Sequence, residues 1–360
     1  MNFSKTLIRW YLENKRDLPW RKTDNAYLIW LSEIILQQTR VAQGTPYFMS
    51  FTANFPTVFD LAAANEEQVL KLWQGLGYYS RARNLHKTAQ FVATELSGKF
   101  PDNYNDLLKL KGVGEYTAAA IASFSYNEAV PVVDGNVFRV LSRYFDVETD
   151  IASAGAKKEF AALAFELMPK DTRGGAKWSE ANPAMFNQAI MEFGALQCVP
   201  KSPNCSICVF NTICAALQKK KVDQLPVKSK KLKVRNRFFN YLVVSDDNEN
   251  TLIQKRTAKG IWLNLYEFPL IETEKVEGFD CIAERIQSDF FQENEIESLL
   301  EINPESVIHK LSHQHLHIKF WKVRVKGTIE NGISSKTLKT FPFPIVIHNF
   351  IEKDFETFSV

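Results

Sequence analysis

The run CVPKSPNCSICVFNTIC, Cys198 to Cys214, holds four of the chain's five cysteines, Cys198, Cys205, Cys208 and Cys214, spaced C-x6-C-x2-C-x5-C. Four soft thiolates in one short stretch suit either a tetrahedral zinc ion or an iron–sulfur cluster. Zinc sites more often come as two separated C-x2-C pairs, and only the pair Cys205–Cys208 is present, which inclines the chemistry toward iron and sulfide. Cys281 stands alone far downstream.

Two carboxylates stand out next. WLSEIILQQTRV, Trp30 to Val41, reads as a helix apolar almost all round, on which Glu33, Gln37 and Arg40 share one stripe. A carboxylate on a buried helix is costly unless it is paired or functional, and burial raises its pKa toward that of a general acid. A structural Glu33–Arg40 pair is the competing use. Asp134 precedes Gly135 and Asn136 where VPVV gives way to the helical VFRVLSRYF. Asp is a preferred N-cap, and the spacing alone favours that role, although capping and catalysis do not exclude each other.

Other segments suit a polyanion. LLKLKGVGEYTAAAIASFS, Leu107 to Ser125, joins two helical stretches through Gly112 and Gly114, whose missing side chains permit close backbone approach. The amides opening the following helix make an anion site, so a helix–hairpin–helix of this kind grips a DNA phosphate without reading sequence. In GLGYYSRARNLHK, Tyr78 and its neighbour precede an Arg/Lys/His-rich helix, a pattern that fits base stacking as readily as core packing. His313, His315 and His317 alternate as strand residues on one face would, and with no carboxylate or cysteine nearby in sequence a plain strand edge is favoured over metal.

The elements that must position these groups follow from composition and texture. At 360 residues there is room for about two or three domains. A content of 45% hydrophobic and 24% charged residues is that of an ordinary globular protein, and a net charge of +3 makes any nucleic-acid footprint local. The N-terminal stretch has no signal-peptide-like apolar core and no run of about 18 apolar residues occurs, so the expectation is a cytoplasmic protein without a membrane span or stable disulfides. Up to about Gln218 the pattern is helical, as at 61–73 and 157–168. Lys219 to Arg237 then carries nine Lys/Arg against one acid, a composition suited to an exposed linker. Beyond it the texture is strand-like: FFNYLVVSDDNENTLIQKR reads as a hairpin and HLHIKFWKVRVKG as another strand. The fold class expected is mainly α: an all-helical domain (1–218), a basic linker (219–235) and an α+β domain (236–360).

Taken together, RDLPWR, WLSEIILQQTRV, GLGYYSRARNLHK, LKGVGEYTAAAI, VDGNVFRVLSR, MFNQAIMEFGA and the cysteine loop, in this order, resemble the MutY-type adenine DNA glycosylases of the helix–hairpin–helix superfamily. The resemblance implies one [4Fe–4S] cluster on the four cysteines, shaping a DNA-contacting loop. It implies that Glu33 protonates the target adenine and Asp134 stabilises an oxocarbenium-like sugar, with Asn136 beside it and Tyr116 supporting the aspartate. Arg16, Trp20, Arg21 and Gln188 match residues lining the adenine pocket. Gln38 and Tyr78 match residues that wedge into the duplex, and Ser312 with His313 the loop that recognises 8-oxoguanine in a Nudix-like second domain. The family usually has Phe where this chain has Leu311. The second domain lacks the Glu-rich Nudix hydrolase signature, so no nucleotide hydrolysis is expected of it. Tyr116 occupies the position of the Schiff-base lysine of endonuclease-III-like enzymes, which implies a monofunctional glycosylase. The implied partner is duplex DNA containing A:8-oxoguanine or A:G, and the implied protein is a monomer of the bacterial cytoplasm, associated with the nucleoid. The competing reading from another class is a non-catalytic DNA-binding protein with structural zinc.

Overall fold

The computed structural model describes residues 2–169, 182–229, 234–291 and 295–353. Part of the expected basic linker, including Lys230, Lys231 and Lys233, lies outside the described residues. Contacts divide the chain into two compact units, Met1–Ala63 with Asn84–Lys230, and Ala64–Arg83 with Lys231–Val360. The helices are α1 (Phe3–Asn14), α2 (Ala26–Leu36), α3 (Val41–Asn54), α4 (Val58–Ala63), α5 (Glu66–Leu72), α6 (Ser80–Thr94), α7 (Tyr104–Leu107), α8 (Glu115–Tyr126), α9 (Gly135–Phe145), α10 (Ala156–Leu167), α11 (Pro183–Leu196) and α12 (Ala215–Gln218). No helix among the described residues is long and apolar enough to cross a membrane.

Short polar side chains start these helices. The Asn25, Asn103 and Asn182 side chains accept from backbone amides at the entries to α2, α7 and α11, satisfying donors the helix leaves unpaired. At α5, Asn65 and Gln68 form a reciprocal capping box, which breaks the helix expected over 61–73 into α4 and α5. The first unit is held by α1, α9, α10 and α11, whose Leu7, Val137, Leu141, Phe160, Phe186 and Ile190 form one buried cluster. Phe210 carries this core into the cysteine loop: its ring lies 5.0 Å from Phe3, 5.1 Å from Tyr144 and 5.3 Å from Phe193. Beside that cluster, Ala118, Ala119, Ala120 and Ala122 of α8 are all buried, and these small side chains let α2 pack closely on α8.

The expected stripe on 30–41 does not form. Helix α2 ends at Leu36, Gln38 takes a left-handed φ of 55°, and Arg40 caps α3. Glu33 and Arg40 therefore sit on different helices.

In the second unit, β1 (Arg235–Ser245), β5 (Leu270–Thr273), β6 (Ile296–Glu301) and β8 (Gln314–Val325) form a sheet in the order β5-β1-β8-β6, with β7 (Val307–Lys310) also paired to β8. The remaining strands, β2 (Asn250–Thr251), β3 (Gln254–Lys255), β4 (Tyr266–Glu267) and β9 (Ile333–Ser334), make two small two-stranded sheets. The expected hairpin between β1 and β2 is absent: β1 pairs in parallel with β8 and antiparallel with β5, while β2 pairs with β9. Both faces of the sheet are covered. On one, Leu242, Val244, Trp321 and Val323 cluster with Ile282 and Ile286 of α13 (Phe279–Asp289). On the other, Phe320 stacks 4.0 Å from Phe350 of α14 (Ile345–Lys353). His315 and His317 lie on β8, whereas His313 lies in the preceding turn, so the three histidines do not share one strand face.

Because Phe210 ties the cysteine loop to three aromatic rings of the helical core, Phe210→Ala should cost about 3–5 kcal/mol of stability, the range for deleting a buried aromatic ring. Denaturant unfolding checks it, and a loss below about 1 kcal/mol would show that the loop is held some other way.

Candidate active site

The structure gathers eight of the expected site residues around one cavity of about 550 Å³: Arg16, Trp20, Arg21, Glu33, Tyr116, Asp134, Asn136 and Gln188. They come from the loop after α1, from α2, α8, α9 and α11, so the cavity is built where rigid helices converge. Trp20 is locked edge-on against Phe48 at 5.2 Å.

Glu33 is 7% exposed, surrounded by the apolar side chains that make α2 a buried helix. Burial pushes its carboxyl up, a hydrogen bond from the Tyr116 hydroxyl pulls it down, Asp134 raises it and Arg21 lowers it, leaving the pKa at about 7. The expected tie between Tyr116 and the aspartate is different in detail: the Tyr116 hydroxyl bonds Glu33 and only faces the charge of Asp134. Burial and the two carboxyls push the Tyr116 phenol well above its ordinary value, so it stays a donor.

Asp134 is the N-cap of α9, and one of its carboxylate oxygens accepts from the amides of Asn136 and Val137, both at 2.8 Å. The other accepts from the Asn136 side-chain amide at 2.7 Å. Burial still raises the Asp134 pKa overall, while these donors favour the ionised form. Cap and cavity-facing acid are thus one residue. The close pairing depends on Gly194 of α11, where an added Cβ would lie 2.6 Å from the Cβ of Asn136 and 3.1 Å from its backbone.

A third carboxylate was not foreseen. Glu192 of α11 lines the same cavity with a fully buried side chain. Its Oε1 accepts from the backbone amide and Nε of Arg16 at 2.9 Å each, and its Oε2 from Arg16 at 2.6 Å and Arg21 at 2.8 Å. Burial pushes this acid up, but the two guanidinium groups outweigh it and bring the pKa to about 2. All four acceptor positions of the carboxylate are filled, so Glu192 fixes Arg16 and Arg21 and has no lone pair left over for another group. One lone acid in an otherwise apolar helix, the signal that exposed Glu33, marks Glu192 in MFNQAIMEFGA as well.

Arg139 was also missed. Its guanidinium donates to Asn136 Oδ1 at 2.8 Å, to the Gly194 carbonyl at 2.7 Å and to the Cys198 carbonyl at 2.7 Å, so it links the Asp134 turn to the start of the cysteine loop.

The other expected residues lie elsewhere. Gln38 is in the turn between α2 and α3, outside the cavity lining. Gly112 has φ +76°, and a Cβ there would meet the Cβ of Asn84 at 2.8 Å, so this turn admits only glycine. Gly114 caps α8. Within the second unit, Tyr78, Ser312 and His313 line a cavity of about 480 Å³ with Trp262 and Leu311, and the Tyr78 and Ser312 hydroxyls are hydrogen-bonded.

Cys198, Cys205, Cys208 and Cys214 line one small cavity with Arg143, Phe193 and Phe210. The donor chemistry fits a thiolate-ligated group: Arg143 points a guanidinium N–H at Cys198 Sγ at 3.5 Å, and the Phe210 amide points at Cys208 Sγ at 3.4 Å. Among the described residues, no three His, Cys, Asp or Glu side chains are grouped as ligands of a single metal ion.

A carboxyl raised from 4.5 to about 7 binds its proton more tightly in the folded chain than in the unfolded one. Stability therefore falls as pH rises between those values and levels off above them. Glu33→Gln removes this penalty and should be more stable than the parent at about pH 8 by on the order of 2–4 kcal/mol, converging with it near about pH 5. Denaturant titrations at both pH values check this, and an equal gap at both would mean that Glu33 is ionised without cost.

Residues 31–165 match the HhH-GPD family, described as HhH-GPD superfamily base excision DNA repair protein, and residues 240–353 match the NUDIX domain. The chain is 34% identical over 317 residues to the adenine DNA glycosylase of Buchnera aphidicola subsp. Schizaphis graminum, covering 88% of this chain and 86% of that protein. It is 42% identical over 232 residues to the adenine DNA glycosylase of Homo sapiens, covering 62% of this chain and 41% of that one. A thermostable thymine-DNA glycosylase superposes with a TM-score of 0.53 at 28% identity, over 60% of this chain and 95% of its own. With a helical HhH-GPD domain, a Nudix-like domain and a relative of this kind matched over most of both chains, the chain belongs to the adenine DNA glycosylase family.

Proposed function

We propose that this enzyme removes adenine paired with 8-oxoguanine, or with guanine, from duplex DNA by hydrolysing the N-glycosidic bond, and leaves the strand intact. The observation that carries the reading is the pairing, in one cavity, of a carboxyl whose pKa is raised to about 7 with a hydrogen-bonded carboxylate at a helix N-terminus.

Adenine leaves poorly as an anion, so the base must be protonated as its bond to the sugar breaks. Glu33 is suited to give that proton near neutral pH, with the Tyr116 hydroxyl holding the carboxyl in place. The bonding electrons go to the base, and Asp134 stabilises the positive charge that develops on the sugar. Glu33, left ionised, then accepts a proton from the water that adds to the sugar. Arg16 and Arg21, fixed by Glu192, present N–H groups to acceptor nitrogens of the flipped base, with Trp20 and Gln188 lining the cavity. Reaching the cavity requires the nucleotide to leave the stack, at a cost of a few kcal/mol that Gln38 and Tyr78 offset by wedging into the duplex. The Gly112–Gly114 turn holds a backbone phosphate. Ser312 and His313, beside Tyr78, read the altered edge of 8-oxoguanine.

The four cysteines would hold one [4Fe–4S] cluster, which supplies a rigid, charged scaffold for the DNA-facing loop. Arg139 ties that loop to Asn136, so the loop's order bears on the Asp134 turn.

A strand-cutting enzyme would need an amine nucleophile for a Schiff base. Tyr116, buried and bonded to Glu33, stands at the position where the resemblance places that lysine.

Glu33→Gln should bind duplex DNA nearly as well as the parent and excise adenine about 10²–10⁴-fold more slowly, the usual worth of a general acid. Parent-like single-turnover excision by the variant would sink the mechanism. Anaerobically purified protein should carry iron near four per chain with visible absorption, and Cys281→Ser should retain it. Stoichiometric zinc without colour would contradict the cluster. Duplexes with A opposite 8-oxoguanine, A opposite G and C opposite 8-oxoguanine test the substrate directly, and removal of cytosine would refute the specificity.

A further inference from the structure

A second cavity of about 350 Å³ lies in the same helical unit. It shares Arg16, Leu18, Arg21, Phe124 and Gln188 with the cavity that holds Glu33, and these residues stand between the two spaces. Its far side is built from residues that do not touch the Glu33 cavity, among them Tyr11, Ser125, Ala184 and Met185, and its rim carries Lys15 and Lys22. Its volume sits at the lower end of the roughly 300–1,000 Å³ typical of small-molecule sites.

The lining of this space suits a polar, planar occupant. Gln188 accepts from the Tyr11 hydroxyl at 2.6 Å through Oε1, which commits its oxygen and leaves its amide N–H groups as donors on the wall between the cavities. Phe124 and Met185 supply apolar surface against which a ring can lie.

We infer that this cavity is a rear chamber that accepts the excised, neutral purine base and lets it leave while the enzyme still holds the abasic DNA. The inference rests on the glycosylase reading above. A base flipped into the Glu33 cavity closes the entrance behind it with its own strand, so after the glycosidic bond breaks the front exit is covered by product DNA. Passage requires side chains of the shared wall, such as Leu18 and Phe124, to swing aside. No bond forms or breaks in this step, and the base moves as a whole molecule.

The test uses full-length protein and a duplex carrying isotopically labelled adenine opposite 8-oxoguanine. Bond cleavage is followed by alkaline scission of quenched samples. Base release is followed by native ultrafiltration, which retains enzyme and DNA. For the parent, free adenine should enter the filtrate at the rate of cleavage while the product DNA is still retained. Ala184→Trp fills the chamber, and Lys22→Trp narrows its exposed mouth without disturbing the core. Both should cleave at the parent rate but release adenine at least about tenfold more slowly, in step with DNA dissociation. Retention of adenine by the parent until its DNA dissociates overturns the inference, even if both variants misfold. Parent-like release from a folded variant overturns it equally. If the parent cleaves no adenine from this duplex, the glycosylase reading itself fails, and the two failures are thereby told apart.

Discussion

The desolvation of Glu33 is the constraint on which the rest of the site depends. A carboxyl on a helix whose other side chains are nearly all apolar cannot ionise cheaply, and its pKa of about 7 is the direct result. The other acids are arranged so as not to undo this. Glu192, in the same cavity, meets two guanidinium groups that saturate its oxygens and hold it at about 2. Arg21, paired with Glu192, also lowers the Glu33 pKa, but by less than burial raises it. Two carboxyls lining one cavity are thereby driven to opposite ends of the carboxyl range, one suited to the acid role proposed for it while the other keeps cationic groups in position.

The supporting structure follows from this division. In the proposed mechanism Asp134 acts as an anion, and its cap position supplies three donors, from Asn136 and Val137, that favour the ionised form against the effect of burial. The absence of a side chain at Gly194 lets Asn136 sit where that network requires it. Arg139 then joins the same asparagine to the Gly194 and Cys198 carbonyls, so the cysteine loop, anchored by Phe210, is mechanically continuous with the Asp134 turn.

How much of this was legible in the sequence depended on whether the relevant partner was local. Glu33 was visible because an acid in WLSEIILQQTRV violates the apolar pattern around it, and Asp134 because Asp-Gly-Asn before an apolar run is a capping signal. The site's eight expected residues do meet, although they come from segments more than a hundred residues apart. The break after Leu36 was invisible, since no Gly or Pro marks it and the left-handed turn falls on Gln38. Glu192 carried the same signal as Glu33, but its partners Arg16 and Arg21 lie more than 170 positions away, and only the fold brings them together. The parallel pairing of β1 with β8 is equally non-local, which is why adjacent strand-like runs read as a hairpin that the sheet does not contain.

The most direct measurement of the central claim is a difference infrared titration of the parent protein against Glu33→Gln, which isolates the signal of this one carboxyl. The account predicts a protonated-carboxyl band that is present at mildly acidic pH and disappears with a midpoint of about 7. A carboxylate band already complete two pH units lower would contradict it, because an acid ionised across the working range has no proton to give.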